Sequence, residues 1–193
     1  MPRIDSKLFY EAALQKYGIT PEGLHWNSEL YQKIRFDIIL DMLPDDLENF
    51  TLCDAGCGFG DFYAYMRENS RISKKYIGID SLETMCAIAK ERTKCEILQA
   101  DICKEPLPHA DFYICSGAMN ILTEFETHLF IRNCFTACES GFIFNILHGD
   151  NASQTYNYIS TSQIKEIAKE LGVKQILYSD EYIRNDITVG FFK

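Results

Sequence analysis

Leu52-Cys53-Asp54-Ala55-Gly56-Cys57-Gly58-Phe59-Gly60 sets an apolar, strand-like run against three glycines at alternate positions, and a helix-forming run follows from Asp61. Glycines at such a junction let a ligand approach the backbone and meet the free amides of a helix N-terminus. The spacing also separates two kinds of nucleotide loop. The dinucleotide fingerprint G-x-G-x-x-G requires glycine at 61, where this chain has aspartate, and asks for no acid two residues before the first glycine, where this chain has Asp54.

Outward from that loop, short β-branched or aromatic runs alternate with longer amphipathic ones, the pattern of a parallel sheet covered by helices. The spacing predicts strands over Thr51–Ala55, Lys75–Asp80, Glu96–Ala100, Phe112–Ser116 and Phe142–Leu147. It predicts helices over Asp61–Asn69, from a cap at Ser81 through Lys90, and over Glu124–Cys138. The segment holding Pro106 and Pro108 is too short for a full helix. Ser160 and Gln163 have capping-box spacing ahead of Ile164, Ile167, Ala168 and Leu171, and Gly172 ends that helix.

Gln175–Tyr178 and Ile187–Phe192 read as the last two strands. The connection between them suits a hairpin and is too short for a parallel crossover, so the final strand should run antiparallel. The expected fold is α/β, a seven-stranded, mostly parallel sheet with an antiparallel last strand and helices on both faces. Residues 1–45 read as an N-terminal helical cap with aromatic Tyr10, Tyr17 and Trp26, and with a helix from Ser28 to Leu43 that stops at Pro44. Residues 46–193 form the core of one domain, the number a chain of 193 residues with 47% hydrophobic content supports.

Composition narrows function. A net charge of -9 disfavours a protein that grips polyanionic nucleic acid, which needs clustered Lys and Arg. No apolar run approaches the roughly 18 residues of a membrane span, and a cytoplasmic protein is expected. The eight cysteines lie mostly in apolar stretches without C-x-x-C spacing, the pattern of buried reduced thiols. Cys53/Cys57 and Cys134/Cys138 lack the two further ligands a zinc site needs at recognisable spacing, so no metal is expected.

An acid at the end of the second strand, Asp80, can accept hydrogen bonds from both hydroxyls of a ribose, and Asp101 closes the third strand. D-A-G-C-G-F-G, G-I-D and Q-A-D-I together resemble the first three signatures of class I, Rossmann-like S-adenosylmethionine-dependent methyltransferases of the small bacterial type, over about residues 45–193. The resemblance implies S-adenosylmethionine as cofactor, with Asp54, Gly56, Gly58 and Gly60 at its methionine part, Asp80 and Ser81 at the ribose, and Asp101 with Ile102 at the adenine edge. It places Ser116, Gly117 and Met119 beside the transferred methyl group.

The run Cys115-Ser116-Gly117-Ala118-Met119-Asn120 lacks the Asn/Asp-Pro-Pro-Tyr signature of amino-group methylation on nucleobases or glutamine, and the chain has no Pro-Cys nucleophile. A small-molecule acceptor is therefore expected. Gln32 and Arg35 share a helix face, and Arg35 either meets the cofactor carboxylate or is a solvated surface arginine. Tyr10, Tyr17 and Trp26, with Met119 and Asn120, form the candidate acceptor pocket or are simple packing. His148, just past the fifth strand, is the candidate base should the acceptor be a hydroxyl, with Asp150 and Asn120 behind it. Two other readings stand beside methyl transfer: a non-catalytic S-adenosylmethionine-binding partner subunit, and a nicotinamide-dependent oxidoreductase, which the residue at 61 and the terminal hairpin oppose.

Overall fold

The computed structural model describes residues 4–24 and 28–193; Trp26 lies outside them. Two helices lead in: α1 (Ser6–Tyr17), capped by the Asp5 side chain, and α2 (Glu29–Met42), capped by the Ser28 side chain. A 3-10 turn, Pro21–Leu24, packs back on α1. Leu43 turns extended ahead of Pro44 and ends α2, since a residue before proline is pushed out of the helical region.

The core alternates as the sequence predicts: β1 (Thr51–Ala55), α3 (Asp61–Glu68), β2 (Lys75–Asp80), α4 (Glu83–Thr93), β3 (Glu96–Gln99), β4 (Ala110–Ser116), α5 (Glu124–Ala137), β5 (Cys138–Leu147), α6 (Thr161–Leu171), β6 (Gln175–Ser179) and β7 (Asp186–Phe192). The sheet order is β3-β2-β1-β4-β5-β7-β6. β1 to β5 pair in parallel, while β7 runs antiparallel to both β5 and β6, which is the expected terminal hairpin. Capping boxes start α5 at Thr123/Glu126 and α6 at Ser160/Gln163, and Gly172 closes α6 in the left-handed region.

Two-residue periodicity divides the sheet's side chains between two cores. Cys53, Tyr113, Phe142 and Phe144 pack with Phe130, Ile131 and Cys134 of α5 and with Ile164 and Ile167 of α6. Leu52, Tyr76, Ile114 and Ile143 pack with Phe36, Ile39 and Leu40 of α2 and with Phe62 and Met66 of α3. No two of the eight cysteines are joined by a disulfide. Among the described residues, no helix is long and apolar enough to cross a membrane.

One cap differs from expectation. Leu82, not Ser81, precedes the first turn of α4, which continues beyond Lys90 to Thr93. Asp80 supplies the side-chain acceptor there, taking the Leu82 amide at 3.0 Å in an Asx-type turn.

Candidate functional site

Parallel strands deliver their C-terminal ends to one edge, and the site is built there. The amides of Gly56 and Cys57 both donate to the Ile79 carbonyl, at 2.7 and 2.9 Å, so the loop after β1 folds across the end of β2. Gly56 sits at φ +82°, and a Cβ there would lie 2.4 Å from the Ala118 Cβ. The loop thus rests backbone-first against the segment after β4.

Asp80 braces this loop. Its Oδ2 accepts from Gly58 N at 3.0 Å while Oδ1 takes Leu82 N, which fixes the carboxylate yet leaves lone pairs free. Burial raises its pKa, opposed by those backbone amides. Asp54 lies deeper, 2% exposed, and accepts from the Tyr76 hydroxyl at 2.6 Å. Burial pushes its carboxyl up to about 7, against the Tyr76 hydrogen bond.

These groups line a cavity of about 410 Å³. Leu24, from the 3-10 turn, stands directly over Gly58, and Tyr10 of α1 reaches down toward Asp80 and Cys115. Burial pushes the Tyr10 phenol well above its usual range, so it stays protonated and can donate a hydrogen bond. The segment after β4 and the first turns of α5 also line the cavity, through Leu122, Phe125 and Leu129.

Of the residues singled out from sequence, the cavity brings together Asp54, Gly56, Gly58, Asp80, Ser81, Asp101, Ile102, Ser116, Gly117, Tyr10 and Asn120. Asp101 Oδ2 is paired with Lys104 Nζ at 2.5 Å, and Ser116 Oγ accepts from Asn145 Nδ2 at 3.3 Å. Asn120 is committed to its own fold: its Oδ1 accepts from Leu147 N and its carbonyl from Asn157 N.

Other candidate residues lie elsewhere. Arg35 does not face the cavity; its guanidinium is buried against Asp186, and Gln32, one turn earlier, is the polar residue of α2 that lines the site. Gly60 lies outside the lining, and its missing side chain instead lets α3 approach Thr93 of α4. Met119 is fully buried in the core. Tyr17 is 44% exposed, with Lys16 over its ring. His148 is not among the lining residues, and its Nδ1 lies 2.8 Å from the Ile159 carbonyl; Asp150 is exposed.

Several lining residues escaped the sequence reading. Gln32 Nε2 donates to Asp61 Oδ2 at 3.2 Å, and Asp61 is paired with Arg92 at 2.7 Å. Gln32 carries a signal in the sequence, since it shares a helix face with Arg35. Phe9, Phe125 and Tyr156 carried none, because each comes from a different element that only the fold brings to the mouth.

Residues 52–141 match a family model described as a methyltransferase domain. Among solved structures, the chain is similar to magnesium protoporphyrin IX methyltransferase (ChlM) from Synechocystis PCC 6803 with bound SAM, at 13% identity and a TM-score of 0.72, over 100% of this chain and 99% of that one. It is also similar to an S-adenosylmethionine-dependent methyltransferase from Mesorhizobium loti, at 16% identity and a TM-score of 0.64, over 83% of this chain and 98% of that one. No curated protein matches the sequence. The fold is that of these class I, Rossmann-like methyltransferases, and residues 52–141 carry the methyltransferase-domain match.

Proposed function

We propose that this protein is an enzyme that transfers a methyl group from S-adenosylmethionine to a small-molecule acceptor. The observation that carries the reading is one continuous cavity joining the glycine loop and the strand-end acids Asp54, Asp80 and Asp101 to an apolar chamber beneath α1. The donor and acceptor set fits the cofactor. Asp80, fixed by two amides with lone pairs to spare, suits a ribose diol. Ile102, Leu82 and Met85 offer an apolar slot for an adenine beside Asp101, and Asp54 with the glycine loop suits an ammonium group.

When bound, the cofactor would supply an activated methyl group on its sulfonium sulfur. The chain's own part is positional. Ser116 and Gly117, at the end of β4, border the space where the acceptor would wait, and the Gln32 amide, not Arg35, would meet the cofactor carboxylate. Tyr10, with Phe9 packed edge-to-face on it, would help to keep water from the bound cofactor. In-line displacement asks for this orientation and desolvation, not for a covalent enzyme intermediate.

Calorimetry with S-adenosylhomocysteine tests the reading. A single site is expected, weakened more than about tenfold in Asp80→Ala through loss of charge-assisted hydrogen bonds. Absence of binding by the unaltered protein would refute it.

A further inference from the structure

We infer that the methyl acceptor is an uncharged, largely apolar molecule that seats between Phe9 of α1 and Phe125 of α5 and carries no phosphate or carboxylate group. The inference rests on the methyl-transfer reading and adds the chemistry of the second substrate.

The first observation is charge. Asp54, Asp61, Asp80, Asp101 and Glu126 all line the cavity, and among the described lining residues Lys104 is the one base. Lys104 is already spent on Asp101, 2.5 Å away. Beyond the cofactor itself, an anionic acceptor would face carboxylates with no free side-chain cation among the described lining residues, and a charge taken out of water without a partner is unfavourable.

The second is the mouth. Phe125 is 71% exposed although it belongs to the first turn of a helix whose Phe130, Ile131 and Phe135 are buried. Phe9 of α1 also lines the cavity, in edge-to-face contact with Tyr10 at 5.3 Å. Exposed aromatic surface continuous with a cavity is expensive to hydrate and is relieved when an apolar ligand covers it.

The third is the polar inventory at this end. Burial keeps the Tyr10 phenol protonated, the Tyr156 side chain also lines the cavity, and Asn120 has its amide oxygen in use. These groups can orient a neutral polar atom by single hydrogen bonds. They cannot neutralise an ion.

The test uses the whole protein saturated with S-adenosylhomocysteine and two probes of one shape, 1-naphthol and 1-naphthyl phosphate, titrated at pH 7. Naphthol should bind at least about tenfold more tightly than the phosphate, a difference of about 1.4 kcal/mol. Phe125→Ala should weaken naphthol, and Phe125→Lys should narrow the gap by strengthening the phosphate. The exposure of Phe125 keeps both variants folded. Equal or tighter binding of the phosphate, no binding of naphthol, or naphthol binding indifferent to Phe125 overturns the inference. Failure of S-adenosylhomocysteine to bind overturns the methyl-transfer reading instead; the same probe pair, run without it, still reports on the mouth.

Discussion

Arg35 of α2 and Asp186 of β7 form a buried ion pair, with Nε 2.8 Å from Oδ2 and side-chain exposures of 8% and 1%. Asp186 also accepts from the Tyr182 hydroxyl at 2.6 Å. The pair ties the N-terminal segment to the last strand of the sheet, and with it the face of α2 that carries Gln32 and Phe36 into the cavity. Removing one partner strands the other charge, so Asp186→Ala should cost about 3–5 kcal/mol. Urea denaturation should show this loss, and the double variant Arg35→Met/Asp186→Ala should be much less destabilised than the sum of its single changes. Additive losses would mean that the two residues do not act as a pair.

Gly60 performs a different task from Gly56, although the sequence spaces them alike. A Cβ at Gly60 would stand 2.5 Å from Thr93 Cγ2, at φ +76°. Gly60→Ala should therefore pay about 1–2 kcal/mol for the left-handed backbone, with the collision added. Thr93→Ser removes the colliding methyl while retaining a hydroxyl for the Ala89 carbonyl and the Cys95 amide. The double variant should recover the collision part of the loss in thermal melts, and no recovery would show that helix contact is not the reason for glycine at 60.

Asp54 should leave a pH signature on stability. Its folded pKa, about 7, lies above the ordinary carboxylate value, so between these values the folded state holds more protons than the unfolded one. Stability must then fall as pH rises from about 4 toward 7, with a slope approaching 1.4 kcal/mol per pH unit from this group. Asp54→Asn keeps an acceptor for the Tyr76 hydroxyl and removes the titration. Its denaturation midpoint should vary less with pH over that range than that of the unaltered protein. Parallel pH profiles would exclude Asp54 as the source.

What the sequence made legible is what depends on near neighbours. The glycine loop, Asp54, Asp80 and the two ends of α6 follow from residue type and spacing, because each acts within a turn or at a strand end. The cap at Ser81 was misplaced because residue type suggests a hydroxyl, whereas the preceding aspartate reaches the Leu82 amide first. His148 was placed at the catalytic edge by its position after β5, but the chain returns at Ile159 to pair beside it and engages its Nδ1. Met119 falls in a 3-10 turn, Ala118–Ile121, that points it into the core. Helical spacing likewise put Gln32 and Arg35 on one face without saying which would meet the site. That choice was made by Asp186, 151 positions from Arg35, and no local pattern carries it.

Gln32 is accordingly the residue of α2 whose loss should be felt by the cofactor. It is 5% exposed, lines the cavity, and has its amide oriented by Asp61, which Arg92 holds in turn. Only one of its amide hydrogens is used by Asp61, so a second remains to meet a carboxylate. Gln32→Leu preserves bulk and helix propensity but leaves the site without that donor, and S-adenosylhomocysteine should bind about tenfold more weakly, as expected for one hydrogen bond to a charged group. Decarboxylated S-adenosylhomocysteine, which lacks the carboxylate, separates this role from simple packing. Its affinity should be nearly the same for the Gln32→Leu variant and the unaltered protein, whereas equal losses for both ligands would make Gln32 a support for Asp61 and not a contact of the cofactor.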